Sequence, residues 1–283
     1  MHTSNLSSAQ PIGLFDSGVG GLSVLREIRK QLPHESLIYF ADQAHVPYGA
    51  RPLEEVRAFS EAITRWLLAQ GAKLIVIPCN TASAAALRYL RQQYPAVPFV
   101  GMEPAVKPAA EQTQTGVVGV LATPVTFQGE LYASVVERFA QGVKVLQHTC
   151  PGLVNEIERG AVGGNGARHI LEDALHPMLE QGVDTVVMGC THYPFVIPLI
   201  QEITGPNVRV IDPSPAVARQ VGRLLRTEIG DWRVEIGEPT VRFVTTGEAG
   251  KFQEVLLNLL NIEAEVEALS WEEVTRGIQS PTL

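Results

Sequence analysis

Short apolar segments alternate with longer amphipathic segments along most of the chain. The apolar segments predict eight strands, at Ile12–Phe15, Leu37–Phe40, Leu74–Ile77, Val97–Val100, Val117–Leu121, Val143–Leu146, Thr185–Met188 and Val208–Ile211. Between the second and third strands, apolar residues recur every three or four positions from Leu53 to Leu67, which predicts a helix with one buried face. Strands that alternate with amphipathic helices are typical of parallel sheets with crossover helices. The pattern therefore predicts a doubly wound α/β fold.

The strands form two sets of four, and two segments indicate that these sets are copies of each other. QGAKLIVIPCNTA (Gln70–Ala82) and QGVDTVVMGCTHY (Gln181–Tyr193) both contain Gln-Gly, then a strand, then a cysteine nine residues after the glutamine. Glycine suits the left-handed conformation that ends a helix. A weaker match joins GLFDSGVGG (Gly13–Gly21) to GVLATPVTF (Gly119–Phe127). We expect two similar parallel-sheet α/β units related by pseudo-twofold duplication, with the active site between them.

The segment after Ile211 has no counterpart in the second unit. It is expected to form a helix at Pro215–Glu228, a strand at Val241–Thr245 and a helix at Ala249–Leu260. In the simplest arrangement, the chain crosses into the second unit near Glu103–Thr115 and returns near Asp212. The expected organisation is a disordered start (1–11), a first α/β domain (12–103 plus 213–283) and a second α/β domain (104–212).

Composition narrows the possible partners of the chain. A formal net charge of −8, without a run of Lys or Arg, argues against a surface for nucleic acid or anionic membranes. No apolar stretch is long enough to span a membrane, and the first eleven residues lack the features of a signal peptide. A cytoplasmic location is therefore expected. Three cysteines in 283 residues favour free thiols over a disulfide framework.

Polar residues follow four of the predicted strands, at the sheet edge where ligands bind in open parallel sheets. They are Asp16-Ser17, Cys79-Asn80-Thr81, Thr123 and Cys190-Thr191-His192. A single cysteine is most often a buried apolar residue, but two in equivalent places favour catalysis. Helices are expected to begin directly after both cysteines and to lower the pKa of each thiol through their unpaired N–H groups.

The residues next to these thiols have two possible interpretations each. Asp16 and His192 can transfer protons, but Asp16 could equally cap the helix that begins near Gly20, and His192 could occupy a surface turn. The glycine-rich turn Gly18–Gly21 fits neither the dinucleotide nor the phosphate-loop spacing. A tight turn that directs backbone N–H groups toward a small carboxylate fits it better.

Three kinds of chemistry can be compared for the two thiols. Cys79, Cys190, His192 and Asp16 are zinc-ligand types, but the single residue between Cys190 and His192 and the absence of Cys-x-x-Cys disfavour a metal site. A Cys/His hydrolase or acyl transferase would use one thiol and leave the other unexplained. A thiol pair suits racemisation or epimerisation, in which one base removes a proton from a carbon and another delivers a proton to its opposite face.

Four motifs carry a family resemblance: DSGVGGLSVL (Asp16–Leu25), ADQAHVPYG (Ala41–Gly49), PCNTAS (Pro78–Ser83) and GCTHYP (Gly189–Pro194). In this order and spacing they resemble the glutamate racemase family of the aspartate/glutamate racemase superfamily, from Ile12 to about Leu260. The resemblance implies a cofactor-independent enzyme that interconverts L- and D-glutamate, supplies D-glutamate for peptidoglycan and forms a homodimer. No lysine lies in the motifs, so a pyridoxal cofactor has no attachment point there.

The resemblance also implies roles for individual residues. Cys79 would take the α-proton of D-glutamate with help from Asp16, and Cys190 that of L-glutamate with help from His192. Hydroxyl groups and backbone N–H groups at these strand ends would stabilise the developing negative charge. The expected substrate contacts are Asp16, Ser17, Tyr48, Gly49, Asn80, Thr81, Thr123, Thr191 and His192.

The segment CPGLVNEIERG (Cys150–Gly160) departs from the family pattern because it is more polar than usual. It contains Glu156 and Glu158, and the spacing favours Glu158 as a possible proton relay. A solvated helix face is the expected environment of this stretch, and Cys150 is expected to be structural. Aspartate or another amino acid remains an alternative substrate. A thiol hydrolase would tolerate loss of one cysteine, and a binding module would tolerate loss of both.

Overall fold

The computed structural model describes residues 10–229 and 238–276, and ten strands lie in these ranges. They are β1 (Ile12–Asp16), β2 (Leu37–Ala41), β3 (Leu74–Val76), β4 (Phe99–Val100), β5 (Val117–Ala122), β6 (Lys144–His148), β7 (Thr185–Gly189), β8 (Arg209–Ile211), β9 (Val241–Thr245) and β10 (Val266–Ala268). All eight strands predicted from the apolar pattern, and the later strand at Val241–Thr245, are confirmed.

The strands form two sheets with matching topology. The six-stranded sheet has the order β10-β9-β2-β1-β3-β4, and the four-stranded sheet has the order β6-β5-β7-β8. Every neighbouring pair is parallel. The order β2-β1-β3-β4 in one sheet corresponds to β6-β5-β7-β8 in the other, so β1 matches β5 and β3 matches β7. The predicted parallel α/β fold is confirmed, and the shared strand order agrees with duplication.

Twelve α-helices connect and cover the strands in the described ranges. They are α1 (Leu22–Gln31), α2 (Leu53–Ala69), α3 (Asn80–Gln93), α4 (Val106–Gln112), α5 (Pro124–Gln128), α6 (Glu130–Phe139), α7 (Leu153–Glu158), α8 (Asn165–Glu180), α9 (Ile197–Thr204), α10 (Ser214–Leu224), α11 (Ala249–Leu260) and α12 (Trp271–Arg276). A π-helical turn, Leu225–Ile229, continues α10, so the helix predicted at Pro215–Glu228 is confirmed. The predicted helix at Ala249–Leu260 coincides with α11.

The two Gln-Gly segments end their helices in the same way. Gly71 after α2 and Gly182 after α8 have φ angles of +82° and +83°, which glycine adopts without a steric penalty. After α2, the Ala72 N–H donates to the Leu67 carbonyl at 3.1 Å; after α8, the Val183 N–H donates to the Met178 carbonyl at 3.1 Å. This hydrogen bond is the Schellman pattern, which turns the chain from the helix into β3 and β7. The helix ends predicted from Gln-Gly are therefore both present.

The apolar side chains form a core that continues from one unit to the other. One cluster includes residues of β1 and α1 together with residues of β7, α8 and α9, all buried. A second cluster fills the space between the first sheet and helices α2 and α3, and a third lies between the second sheet and helices α4 and α6. Each fully buried Leu or Ile contributes about 1.5–3 kcal/mol of hydrophobic stabilisation.

The packing of two helices supports the expected division into domains. Helix α4, which follows the first crossing, packs on α6, β5 and β7, whereas α10, which follows the second crossing, packs on α1 and β4. We therefore propose that residues 12–103 and 213–283 form one domain and residues 104–212 the other, although residues 230–237 and 277–283 of the first lie outside the described residues. Residues 1–9 of the expected disordered start lie outside the described residues, while the carbonyl of Pro11 accepts a hydrogen bond from the Lys73 N–H at 2.9 Å.

Two elements were not anticipated. Strand β10 adds an edge to the first sheet and α12 packs on α2. Residues of β10 are half-buried or exposed, so they lack the apolar run that marks a buried strand. In residues 10–229 and 238–276, none of the helices has the length and apolarity that a membrane span needs.

Candidate active site

The predicted site residues meet where the carboxyl ends of β1, β3, β5 and β7 face each other. The chain order reverses beside β1 and beside β5, which makes both places topological switch points, where open parallel sheets bind ligands. One small cavity lies between them. It is lined by Asp16, Ser17, Pro47, Tyr48, Gly49, Cys79, Asn80, Thr81, Thr123, Val154, Cys190, Thr191 and His192. All of the expected catalytic and substrate-contact residues are in this lining, whereas the possible proton relay Glu158 is not.

This cavity is too small for an amino acid. Its volume is about 20 Å³, which accommodates about one water molecule. A larger cavity of about 460 Å³ adjoins it and shares Pro47, Gly49, Thr123 and Val154 with its lining. An amino acid can therefore bind here only if the small cavity widens.

Cys79 ends the loop after β3 and is the N-cap residue of α3. Its Sγ accepts a hydrogen bond from the Ala82 N–H at 3.5 Å, and its thiol is hydrogen-bonded to Asp16. Burial raises the pKa of the Cys79 thiol well above its usual value, and the Asp16 carboxylate raises it further, while the N–H of Ala82 lowers it only in part. The expected lowering of the pKa by α3 is therefore wrong for Cys79, which holds its proton.

Asp16 is fully buried beside this thiol and is held by backbone donors. Its Oδ1 accepts from the Ser17 N–H at 2.8 Å, and its Oδ2 accepts from the Gly21 N–H at 2.6 Å and from the Thr191 hydroxyl at 3.4 Å. Burial raises the pKa of Asp16, although His192 and the hydrogen bonds oppose this effect. Asp16 thus binds the start of α1 and also lies in position to exchange a proton with Cys79.

The chain after Cys190 differs from the chain after Cys79. The Tyr193 N–H donates to the carbonyl of Cys190 at 3.1 Å, and a 3₁₀ turn, Tyr193–Val196, precedes α9. The expectation that a helix begins directly after Cys190 is therefore wrong, because Pro194 has no N–H and interrupts the ladder of helical donors. His192 is buried rather than in a surface turn, and its Nδ1 lies 3.7 Å from Cys190 Sγ.

Glu158, at the end of α7, completes a hydrogen-bonded chain with His192. Its Oε1 lies 2.6 Å from His192 Nε2, and its side chain is only 11% exposed, so the expected solvated helix face is wrong for this residue. Burial alone raises the pKa of Glu158, but the hydrogen bond and charge of His192 and the N–H of Val19 lower it below its usual value. Glu156, which points elsewhere, pairs with Arg159.

The imidazole of His192 lies between a thiol and a carboxylate. Burial alone lowers the pKa of His192, but its hydrogen bonds to Cys190 and Glu158 and their charges raise that pKa well above the usual value of 6.5. A histidine with this environment can accept the proton of a neighbouring thiol and retain it as an imidazolium. The site therefore contains two thiols with different partners, the carboxyl group of Asp16 for Cys79 and an imidazole–carboxylate pair for Cys190.

The glycine-rich turn after β1 binds two carboxylates of the protein itself. The N–H groups of Ser17 and Gly21 donate to Asp16, and the Val19 N–H donates to Glu158 Oε1 at 2.8 Å. The turn thus directs these N–H groups toward side-chain carboxylates of the protein, and binding of a small carboxylate ligand by the turn stays a prediction. A side chain at Gly20 would clash with the His192 ring, so glycine is required for this close approach.

The remaining candidate residues differ in whether their polar side-chain atoms already have hydrogen-bond partners. Thr123 Oγ1 lies 3.1 Å from Thr81 Oγ1 and 2.9 Å from that of Thr126. The Tyr48 hydroxyl donates to Asp42 at 2.6 Å and is therefore already used. Among the described residues, both polar atoms of the Asn80 amide lack a hydrogen-bond partner although the residue is buried. An unmet buried polar group costs about 1–3 kcal/mol, so the Asn80 amide is suited to bind a ligand.

Two other features bear on the sequence interpretations. Cys150 is buried, and burial raises the pKa of its thiol to about 12, as suits a structural residue. Within residues 10–229 and 238–276, no cluster of three or more His, Cys, Asp or Glu side chains could hold a metal ion.

Sequence reasoning did not identify Asp42 and Gln43, which follow β2. Asp42 accepts from Tyr48 and from Thr246 at 2.8 Å, and the Gln43 amide donates to Glu158 at 3.2 Å. Asp42 and Gln43 could have been predicted from the rule that ligand-binding residues follow parallel strands, because β2 is the neighbour of β1.

A family model described as Asp/Glu/Hydantoin racemase matches residues 12–221 of the chain. A glutamate racemase of Roseiflexus sp. (strain RS-1) is 48% identical over 252 residues, which are 89% of this chain and 93% of that protein.

Solved structures agree with the sequence match. The Escherichia coli glutamate racemase in complex with L-glutamate and the activator UDP-MurNAc-ala is 32% identical, with a TM-score of 0.81 over 92% of this chain and 98% of that chain. The Francisella tularensis glutamate racemase in complex with D-glutamate is 31% identical, with a TM-score of 0.80 over 94% of this chain and 100% of that chain.

Proposed function

This chain belongs to the glutamate racemase family of isomerases, and from that premise we propose that it interconverts L- and D-glutamate by a two-base mechanism, with Cys79 and Cys190 on opposite faces of the α-carbon. One observation carries the proposal. The two thiols follow equivalent strands of the two sheets and line the same small cavity, and each has its own proton-transfer partner. A hydrolase would need only one such thiol.

The different partners of the two thiols support a reaction that begins with L-glutamate. His192 accepts the proton of Cys190, and the resulting thiolate removes the α-proton of L-glutamate. Cys79, whose pKa is raised by burial, donates its proton to the opposite face of the carbanion and yields D-glutamate. One C–H bond breaks and one forms, and one proton passes from the Cys79 side to the Cys190 side.

The reverse reaction uses the same groups in opposite roles. Asp16 accepts the proton of Cys79, the Cys79 thiolate removes the α-proton of D-glutamate, and the Cys190 thiol donates to the other face. Resetting the thiols between turnovers requires protons to move through Asp16 and His192. These two residues thus act as proton-transfer partners of the thiols in each direction.

The α-proton of an amino acid is a very weak acid, so the carbanion needs donors that are already in place. The free Asn80 amide and the hydroxyls of Thr81, Thr123 and Thr191 lie in the cavity lining and can bind the substrate carboxylates. Ser17, Tyr48 and Gly49 complete the proposed contacts, Tyr48 through its ring and backbone because Asp42 already accepts from its hydroxyl.

The family also suggests a biological setting, which we include in the proposal. D-glutamate would be supplied for peptidoglycan, the enzyme would work in the cytoplasm, and two chains would associate as a homodimer. Rescue of a bacterial strain that requires external D-glutamate would test the first point. Measurement of the molar mass of the protein in solution at low micromolar concentration would test whether it forms a homodimer.

The activity itself can be tested with pure enantiomers in heavy water without any added cofactor. With L-glutamate or D-glutamate, we expect optical rotation to fall to zero while the α-position gains deuterium. Unchanged rotation with both enantiomers would refute the racemase assignment. L-aspartate tested in the same way should racemise far more slowly, and faster turnover of aspartate would assign the chain to the alternative substrate.

Replacement of Gly20 by alanine is expected to reduce turnover by about 10²-fold. The added methyl group would clash with the His192 ring, which must then turn away from Cys190, and misplacement of a catalytic group by about 1 Å can cost this much. Gly250→Ala is the matched control, because its methyl group would meet no neighbouring atom within 4 Å. Racemisation rates of the two variants check this prediction, and a Gly20→Ala rate within threefold of the unmodified protein would contradict it.

A further inference from the structure

The Gln43 side chain links the first sheet to the acidic partner of His192. Gln43 lies in the loop after β2 and is half-buried. Its Nε2 donates to Glu158 Oε2 at 3.2 Å, and its Oε1 accepts from the Thr245 hydroxyl at 2.8 Å. Thr245 ends β9 and is fully buried. The amide therefore connects two strand ends of the first sheet to a helix of the second unit.

The direction of these hydrogen bonds is fixed by a backbone group. The Gly247 N–H donates to Thr245 Oγ1 at 2.9 Å, which leaves the hydroxyl proton of Thr245 free to donate to Gln43 Oε1. The Nε2 group of Gln43 must then face Glu158. A carboxylate with donors on both oxygens is ionised and fixed in orientation.

The two oxygens of Glu158 have separate donors. Oε1 accepts from the Val19 N–H and faces His192 Nε2, whereas Oε2 accepts from Gln43. Without the Gln43 amide, Oε2 of this buried carboxylate would have no donor from the first sheet, and the carboxylate could rotate away from His192. Gln43 also lies close to Gly247, and a side chain at position 247 would clash with Gln43. The loop at Gly247 therefore packs against the Gln43 side chain.

We propose that Gln43, oriented by Thr245, is a positioning residue that fixes the Glu158 carboxylate against His192 and so supports proton transfer at Cys190. This inference rests on the proposed racemase function. Gln43 touches neither thiol and does not line the small cavity, so it acts on the reaction through Glu158. Its donor, Thr245, and its acceptor, Glu158, belong to different units.

Gln43→Met keeps the length of the side chain and removes both hydrogen bonds. We expect kcat to fall about tenfold with KM within twofold, because the substrate contacts remain while the imidazolium loses a well-placed partner. The alkaline limb of the kcat/KM profile, which reports loss of the His192 proton, should move to lower pH. Gln147→Met removes a 2.9 Å hydrogen bond to the Tyr132 hydroxyl, and both residues lie outside the linings of the small and the larger cavity, so kcat and the pH profile should stay unchanged.

A double-mutant cycle tests whether Thr245 acts on the reaction through Gln43. Thr245→Val removes the hydroxyl that orients the amide and should lower kcat by a few-fold. In the Gln43→Met background it should cause no further loss, since its only proposed action is through Gln43. Equal losses in both backgrounds would overturn the proposed order Thr245, Gln43, Glu158.

Gln43→Glu is a variant in which the hydrogen-bond donor to Glu158 is absent at high pH and returns as the pH falls. The introduced carboxylate cannot donate to Glu158 and repels it, so kcat should fall more than with Gln43→Met. The adjacent Glu158 carboxylate raises the pKa of the introduced carboxyl above its ordinary value of about 4.3, so as pH falls from about 8 to about 5 a proton returns, the donor is restored, and activity relative to the unmodified protein should rise. A constant ratio would overturn the inference, and this readout holds even if Gln43→Met fails to fold.

Assaying the unmodified protein alongside the variants distinguishes failure of the proposed function from failure of the positioning role of Gln43. If it does not racemise glutamate, the proposed function fails. If it does racemise glutamate and Gln43→Met retains its kcat and pH profile, the positioning role fails and the proposed function stands.

Discussion

Cys79→Ala and Cys190→Ala are each expected to reduce racemisation in both directions by about 10³-fold or more. Each turnover needs one thiol to remove a proton and the other to donate one, and a positioned acid or base contributes about 10²–10⁴-fold. L- and D-glutamate have equal free energies, so kcat/KM must fall equally in the two directions. Racemisation alone therefore cannot distinguish the two thiols.

Exchange of the α-proton in heavy water distinguishes them. The thiol that remains in Cys190→Ala is Cys79, which can still remove the α-proton of D-glutamate and return a deuteron to the same face. That variant should deuterate D-glutamate without inversion and leave L-glutamate unlabelled, and Cys79→Ala should do the opposite. Nuclear magnetic resonance of the α-position with each pure enantiomer measures this.

Cys150→Ala is the matched control for both variants because Cys150 is equally buried and free but lies outside the small cavity. Its racemisation rate should stay within about threefold of that of the unmodified protein. If Cys79→Ala or Cys190→Ala kept a tenth or more of the normal turnover, the two-base mechanism would be excluded.

Glu158→Gln is expected to lower kcat on the order of 10²-fold and to change the pH dependence of the enzyme. The raised pKa of His192 means that its proton is held at and above pH 6.5 and is lost as pH rises through the raised value. The lowered pKa of Glu158 means that its charge is present at and above pH 4.5 and is lost as pH falls through the lowered value. The charged pair is therefore complete at neutral pH.

Replacing Glu158 with glutamine removes the negative charge that favours the imidazolium, so the pKa of His192 falls. The alkaline limb of the kcat/KM profile should move to lower pH, which rate measurements between about pH 6 and about pH 10 can detect. Glu156→Gln is the control, because Glu156 lies in the same helix but pairs with Arg159 at the surface. An unshifted limb in Glu158→Gln would contradict the role of the carboxylate.

Much of the fold could be predicted from the sequence because its central strands are fully buried and therefore mostly apolar. β1, β2 and β7 have every residue buried, and each is bounded by polar turns. The duplication could be predicted because the helix-ending Gln-Gly and the cysteine are both local features. β10 and α12 could not be predicted, since they are short, largely exposed and shaped by the sheet edge that they cover.

The candidate site was predictable to the extent that its residues lie at strand ends. Asp16 ends β1, Cys190 directly follows β7 and Cys79 ends the short loop after β3, and the two parallel sheets bring these strand ends together. Gln43 also follows a strand, but Glu158 lies at the end of a helix 115 positions further along the chain, and no local pattern marks the contact between them. The sequence stretch around Glu158 even indicated solvent, because its neighbours Asn155 and Glu156 are polar.

The pKa of Cys79 shows a different reason for a wrong prediction. The start of α3 does supply an N–H donor to the sulfur, as expected, and that donor favours the thiolate. Burial and the adjacent Asp16 oppose it and prevail. Sequence position reveals the helix start, but the depth of burial and the identity of the nearest charge depend on the folded structure.

The matching strand orders of the two sheets have a consequence for handedness. A chain of L-amino acids cannot build the mirror image of one of its own halves. The intermediate in the proposed reaction, however, has a planar α-carbon, and a rotation about an axis in that plane exchanges its two faces. Two copies of one fold related by an approximate twofold axis can therefore treat enantiomers nearly alike, although neither copy is the reflection of the other.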